Sequence, residues 1–245
     1  MSRFYVPQPR IVDEVLTIEG DEVKHIRKVL RLRPGDEIVI FDSSSREYEG
    51  VILEESPLSV LVRIQNVKLC QKESPLEITL AQSLLKGEKM DYLVQKATEL
   101  GIRNIVPFFS SRSVPVLGIS KGLPRHRRWE RIAVEASKQC GRGAVPGIFP
   151  VKAYSKMLQA ATPDSVRLVL WEGGGERLKK VLESSRSKSK IFFIVGPEGG
   201  LSSDEVDQAK REGFIPVTLG KRILRSETAG VCLLSILQYE LGDIG

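Results

Sequence analysis

Five consecutive apolar residues, Ile191-Phe192-Phe193-Ile194-Val195, run straight into Gly196-Pro197-Glu198-Gly199-Gly200. This junction limits the available folds more than any other feature of the chain. An apolar run of that length, bounded by Gly-Pro, predicts a strand buried on both faces, as in a parallel sheet covered on both sides. Ser202 with Glu205 three residues later predicts a capping box that opens a helix. A glycine-rich loop therefore follows the carboxyl end of a strand and precedes a helix, which is where open α/β sheets bind ligands. Gly199 and Gly200 leave room for close backbone approach, although such a loop is also compatible with a plain tight turn. A second strand over 214–218 leads into Leu219-Gly220-Lys221-Arg222-Ile223-Leu224-Arg225. A last helix over 226–241 is apolar on nearly every side, which suits a central position or a subunit contact.

The earlier chain divides in two. Strands are predicted at 14–18, 37–41, 48–54 and 59–67, with a helical turn or two near 21–30 and a tight turn at 33–36. Closely spaced strands of this kind predict a small β-barrel over residues 1–70. Residues 70–75 read as a linker. From 75 to 245 strands and helices alternate: strands at 76–81, 105–109, near 148 and 166–171, helices at 89–100, 128–140 and 176–184. Alternation predicts an α/β domain built on a parallel sheet. No GxGxxG follows a strand, and Gly173-Gly174-Gly175 lacks the Lys-Ser/Thr of a phosphate-binding loop, so neither nucleotide motif is present.

With 245 residues, either one large or two smaller domains can bury a core. No apolar run approaches the roughly 18 residues needed to cross a bilayer, and the first residues carry no signal-like apolar core. Cys70, Cys140 and Cys232 are widely spaced and odd in number, and there are two histidines, His25 and His126. Reduced thiols, a cytoplasmic location and no metal site are expected. Net charge is +6, and its distribution says more than its total. Residues 101–150 hold nine Lys/Arg, Lys121 among them, against Glu130 and Glu135. So one-sided a segment points to an anionic partner. Residues 1–70 hold ten bases against twelve acids, with the bases gathered around Lys24, Arg27, Lys28, Arg31 and Arg33. Trp129 falls on the inner face of its helix and reads as core.

GPEGGLSSDEV (196–206) followed by LGKRILRSETA (219–229) resembles the SPOUT class of RNA methyltransferases and, more closely, its RsmE family. Further matches are HIRKVLR at 25–31, QKATELG at 95–101, SRS at 111–113 and EASKQCGR at 135–142, so the resemblance spans almost the whole chain in order. It implies S-adenosylmethionine as cofactor and methylation of uridine N3 in 16S (small-subunit) rRNA. It also implies a PUA-like RNA-binding barrel over 1–70, a knotted SPOUT domain over 75–245 with a C-terminal trefoil knot, and a homodimer.

Carried over by position, the cofactor loops comprise Gly196, Glu198, Gly199 and Gly200, then Leu219, Gly220, Ile223, Leu224 and Arg225, with a third loop after Leu170 near Trp171 and Glu172. Arg225 is expected beside the reacting centre, where a cation stabilises developing negative charge. Glu198 or Glu227 is a candidate proton acceptor. Arg225 could instead brace the knot, and Glu227 could favour the helix N-terminus beside Ser226. Arg3, Arg10, His25, Arg27 and Arg31 are candidate RNA contacts in the barrel, as are Arg112, Arg128 and Arg142 in the larger domain; His25 also fits a half-buried structural role. Two alternatives stay open: a SPOUT ribose 2′-O-methyltransferase on tRNA or rRNA, and a non-catalytic RNA-binding assembly factor.

Overall fold

The computed structural model describes residues 1–42, 44–113 and 122–245; Lys121 of the basic segment lies outside them. The chain forms two compact units, Met1–Glu73 with Val134–Val145, and Ser74–Ala133 with Pro146–Gly245.

The first unit contains β1 (Ser2–Tyr5), β2 (Arg10–Val12), β3 (Val15–Glu19), α1 (Asp21–Lys24), β4 (Glu37–Phe41), β5 (Arg46–Glu55) and β6 (Ser59–Leu69). A π-helical turn, His25–Leu30, continues α1. The strands pair in the order β1-β4-β5-β6-β3-β2. Only β1–β4 is parallel; the other ladders are antiparallel. No ladder joins β1 to β2 among the described residues, so the expected barrel is a six-stranded sheet open in its pairing. Leu16 with Ile18, Ile38 with Ile40 and Val60 with Val62 alternate along their strands and meet Phe4, Val23, Ile26, Tyr48 and Ile52 in one core. The strand pattern is therefore hydrophobic on one face, as binary alternation requires.

The turn between β4 and β5 rests on Asp42. One of its oxygens accepts from the Ser44 N–H (2.8 Å), the Ser44 hydroxyl (2.7 Å) and the Arg46 N–H (3.2 Å); the other accepts from the Tyr48 hydroxyl (2.9 Å). Burial pushes the carboxyl up, but these four donors outweigh it and leave its pKa below the ordinary 3.8. Glu47 is also lowered from 4.5: burial raises it, and the Arg3 guanidinium, with Cys70 and Lys68, more than offsets that. Both carboxylates thus contribute stability that is fully present above their unfolded values and is lost as pH falls through the lower folded values. The expected melting temperature is flat near neutrality and drops below about pH 4. Asp42→Ala should cost about 2–3 kcal/mol in denaturant unfolding, since it leaves several donors without their acceptor.

The second unit contains β7 (Glu77–Ser83), α2 (Lys89–Glu99), β8 (Asn104–Phe109), α3 (Gly122–Cys140, whose last turns belong to the first unit), β9 (Gly147–Ile148), β10 (Lys152–Ala153) and α4 (Tyr154–Leu158). It continues with β11 (Val166–Leu170), β12 (Glu176–Arg177), α5 (Leu178–Ser184), β13 (Lys190–Val195), α6 (Ser203–Arg211), β14 (Ile215–Thr218) and α7 (Ser226–Leu241). All its ladders are parallel, in the order β10-β8-β7-β13-β11-β14-β12, with β9 beside β8. On one face Ala81, Val106, Val169, Phe192 and Ile194 pack against Val206, Ala209 and Phe214. On the other, α7 approaches so closely that a Cβ at Gly230 would lie 3.1 Å from Leu93 and 3.8 Å from Leu80. Both faces of β13 are thus covered, which is why its sequence is apolar without alternation.

Candidate active site

β13, β11 and β14 are neighbouring parallel strands, so their carboxyl ends, and the loops that follow, open at the same edge of the sheet. Those three loops enclose a hollow of about 350 Å³, within the roughly 300–1,000 Å³ usual for small-molecule sites. Leu170, Trp171 and Glu172 line it after β11; Gly196, Pro197, Glu198, Gly200 and Leu201 after β13; Leu219 through Ser226 after β14. Of the proposed cofactor residues, Gly199 alone is outside the lining.

Glycine shapes the first loop. The Gly200 N–H donates to the Pro197 carbonyl (2.9 Å), and Gly200 adopts φ +68° with the Glu172 carboxylate only 2.7 Å from where a Cβ would sit. A Cβ on Gly196 would lie 3.0 Å from the Leu201 nitrogen. The turn therefore folds back against itself, with its backbone exposed to the hollow. Ser202 and Glu205 form the capping box that starts α6.

Two side chains lock the loops together. The buried Gln82 amide donates to the Ser226 hydroxyl (2.9 Å) and, more weakly, to the Gly196 carbonyl (3.4 Å). The Ser226 hydroxyl in turn donates to the same carbonyl. The start of α7, the loop after β13 and the end of β7 thus share one hydrogen-bonded cluster of polar atoms.

The hollow carries opposing charges. Lys89 lines it and stands 3.2 Å from Glu198 and 3.6 Å from Glu227. Burial raises the Glu198 pKa, but its own backbone, the Lys86 N–H and Lys89 together hold it below 4.5. Glu198 is therefore ionised near neutral pH and only weakly basic. Glu227 is outside the lining, and one of its carboxylate oxygens is buried without a hydrogen-bond partner among the described residues. Arg225 occupies the N-cap position of α7 without a side-chain capping bond and lies exposed at the rim. Lys89 and Gln82 were not singled out from sequence; the available signals were Gln82's place just after a predicted strand, at its carboxyl end, and Lys89's place at the start of the helix that follows. Among the described residues no group of three His, Cys, Asp or Glu side chains could hold a metal ion, and no helix is long and apolar enough to cross a membrane.

Residues 72–238 match the RNA methyltransferase domain family, and residues 18–65 match the RNA methyltransferase PUA domain. Ribosomal RNA small subunit methyltransferase E of Bacillus subtilis is 30% identical over 98% of this chain and 97% of its own. The enzyme of the same name from Aquifex aeolicus is 32% identical over 97% and 99%. The chain belongs to the ribosomal RNA small subunit methyltransferase E family. A crystal structure of the Neisseria gonorrhoeae family member bound to S-adenosyl methionine superposes with a TM-score of 0.91, at 33% identity, covering all of both chains. The PUA match makes the first unit PUA-like.

The arginines expected to meet RNA in this family member are placed very differently from one another. Arg3 and Arg142 turn inward. Arg3 binds Glu47 (2.8 Å) and the Arg142 carbonyl (2.8 Å) and lies over Phe41. Arg142 is 4% exposed and pairs with Glu73 at 2.7 Å. His25 packs edge-on against Phe4, with Lys138 3.3 Å and Glu22 3.5 Å from its Nδ1. Arg27 is partly buried and bound to Glu55. Arg10 and Arg31 are exposed. Arg128 is exposed beside Asp91 (2.6 Å), and Arg112 donates to the Gly199 carbonyl (3.1 Å). Trp129 is core, its indole N–H donating to Asp91 (3.1 Å).

Proposed function

We propose that this protein is a cytoplasmic S-adenosylmethionine-dependent methyltransferase that methylates N3 of a uridine in 16S rRNA. The observation that carries the reading is the single hollow formed by the loops after β13 and β14, with a third wall from the loop after β11. Its fit to the cofactor is chemical: backbone groups of two glycine-bearing turns for a nucleoside, and carboxylates of Glu172 and Glu198 where a sulfonium cation is to be held. Bound there, S-adenosylmethionine would supply an electrophilic methyl group.

The chain's own residues would then do three things. The turns at Gly196–Leu201 and Leu219–Leu224 would hold the cofactor through main-chain hydrogen bonds. Arg225 would stabilise the uracil anion as its N3 proton leaves. Glu198 or Glu227, joined through Lys89, would be the carboxylates to orient or accept that proton, with the depressed pKa of Glu198 making it a poor base. For RNA, Arg10, Arg31 and Arg128 are the exposed candidates and Arg27 and His25 the half-buried ones. Arg3 and Arg142 would support the first unit from within. A base inside structured RNA would have to swing out to reach the hollow.

Two architectural readings accompany this one. A trefoil knot is supported by the Gln82–Ser226–Gly196 hydrogen bonds, which hold the start of α7 against the loop after β13. A homodimer through α7 is supported by its half-exposed Val231, Cys232 and Ile236, exposed Tyr239 (66%) and, on the neighbouring α2, Tyr92 (50%). The test of function is nucleoside mass analysis of small-subunit rRNA after incubation with the protein and cofactor. N3-methyluridine is expected. A 2′-O-methylated nucleoside would shift the assignment to a ribose methyltransferase, and unmodified RNA would favour a binding factor.

A further inference from the structure

The segment Ser110–Ser113, just after β8, is held with unusual completeness for a surface loop. Glu205, 5% exposed, accepts from both the N–H (2.8 Å) and the hydroxyl (3.0 Å) of Ser111 while also accepting from the Ser202 N–H (2.9 Å). On the other side, the Ser113 hydroxyl lies 2.9 Å from that of Ser83 at the end of β7. Fixed between these anchors, Arg112 reaches across the glycine loop: its guanidinium donates to the Gly199 carbonyl, and a Cβ on Gly199 would touch the Arg112 side chain at 3.6 Å.

We propose that Arg112 and Glu205 are positioning residues for the cofactor loop rather than RNA contacts. Gly199 is the one residue of that loop facing away from the hollow, and flexible glycines on either side need an external strut to keep the hollow open before cofactor arrives. Arg112 supplies the strut, and Glu205, which also caps α6, sets where Arg112 stands. This inference rests on the hollow being the cofactor site.

The test is calorimetry with S-adenosylmethionine and the full chain, without RNA. Arg112→Ala should weaken cofactor binding by about three- to tenfold, as expected for one lost charge-assisted hydrogen bond at an exposed site. Arg112→Lys should recover much of the loss, because a single donor to a carbonyl does not need the guanidinium fork. Glu205→Gln should weaken binding similarly, since its amide group meets donors where the carboxylate accepts. A phosphate-contacting arginine behaves differently: cofactor affinity would be unchanged by Arg112→Ala, and the salt dependence of RNA binding would flatten by about one charge. That result would overturn the proposal while leaving the functional reading intact. If the wild-type protein itself bound no cofactor, the functional reading would fail, and the proposal with it.

Discussion

Arg225→Ala is expected to lower the rate of methyl transfer by about two to three orders of magnitude, the usual effect of removing one preorganised group that stabilises developing negative charge. The fold should be untouched, because the side chain is exposed and makes no hydrogen bond or ion pair among the described residues. Loss should fall on kcat, with cofactor affinity reduced far less, because main-chain groups of the turns provide most of the cofactor's contacts. Single-turnover kinetics with a melting curve checks this. Near-normal turnover would remove Arg225 from the reacting centre; a large drop in melting temperature with turnover retained would make it a brace for α7 instead.

Gly196→Val should act on the other half of the site. Even a Cβ here would lie 2.9 Å from the Leu201 side chain and 3.0 and 3.1 Å from backbone atoms of Leu201 and Gly200. The turn would have to open, and the Gly196 carbonyl would pull away from Gln82 and Ser226. Overpacking of this size weakens binding by about ten- to a hundredfold. Calorimetry should show that loss for cofactor, with the second unit still folded. Affinity like that of the wild type would mean that the turn does not shape the site.

How much of this could be read from the sequence depends on where each signal resides. β13 was legible because burial on both faces writes itself as five apolar residues. The capping box at Ser202 and Glu205 was legible because its hydrogen bonds are local. α2 ends at Glu99, and Gly101 just beyond it, at φ +80°, takes the left-handed conformation that stops a helix. Short edge elements were not legible: β2 is three exposed residues, and α4 is a five-residue helix. α3 begins at Gly122 rather than near 128, because a proline in the first turn, Pro124, is tolerated where no intrahelical N–H is required. α5 begins at Leu178 because Glu176 and Arg177 pair with β14 as β12.

The site follows the same rule. Backbone-binding turns announce themselves through glycine, so the two loops were readable. Gln82 was not, because its role comes from the pairing of β7 with β13, distant in sequence, nor was Lys89, whose role comes from the equally distant Glu198 and Glu227. Nor can charge alone separate Arg3 and Arg142 from exposed Arg10 and Arg31. Glu47 and Glu73 decide that, by drawing the first two inward.

A crystal structure of the protein grown with S-adenosylmethionine tests the central claim most directly. The account predicts cofactor density in the hollow between the Gly196–Leu201 and Leu219–Leu224 turns, with the methyl group on the side of Arg225. Density at another place on the molecule, with this hollow empty at saturating cofactor, would contradict it.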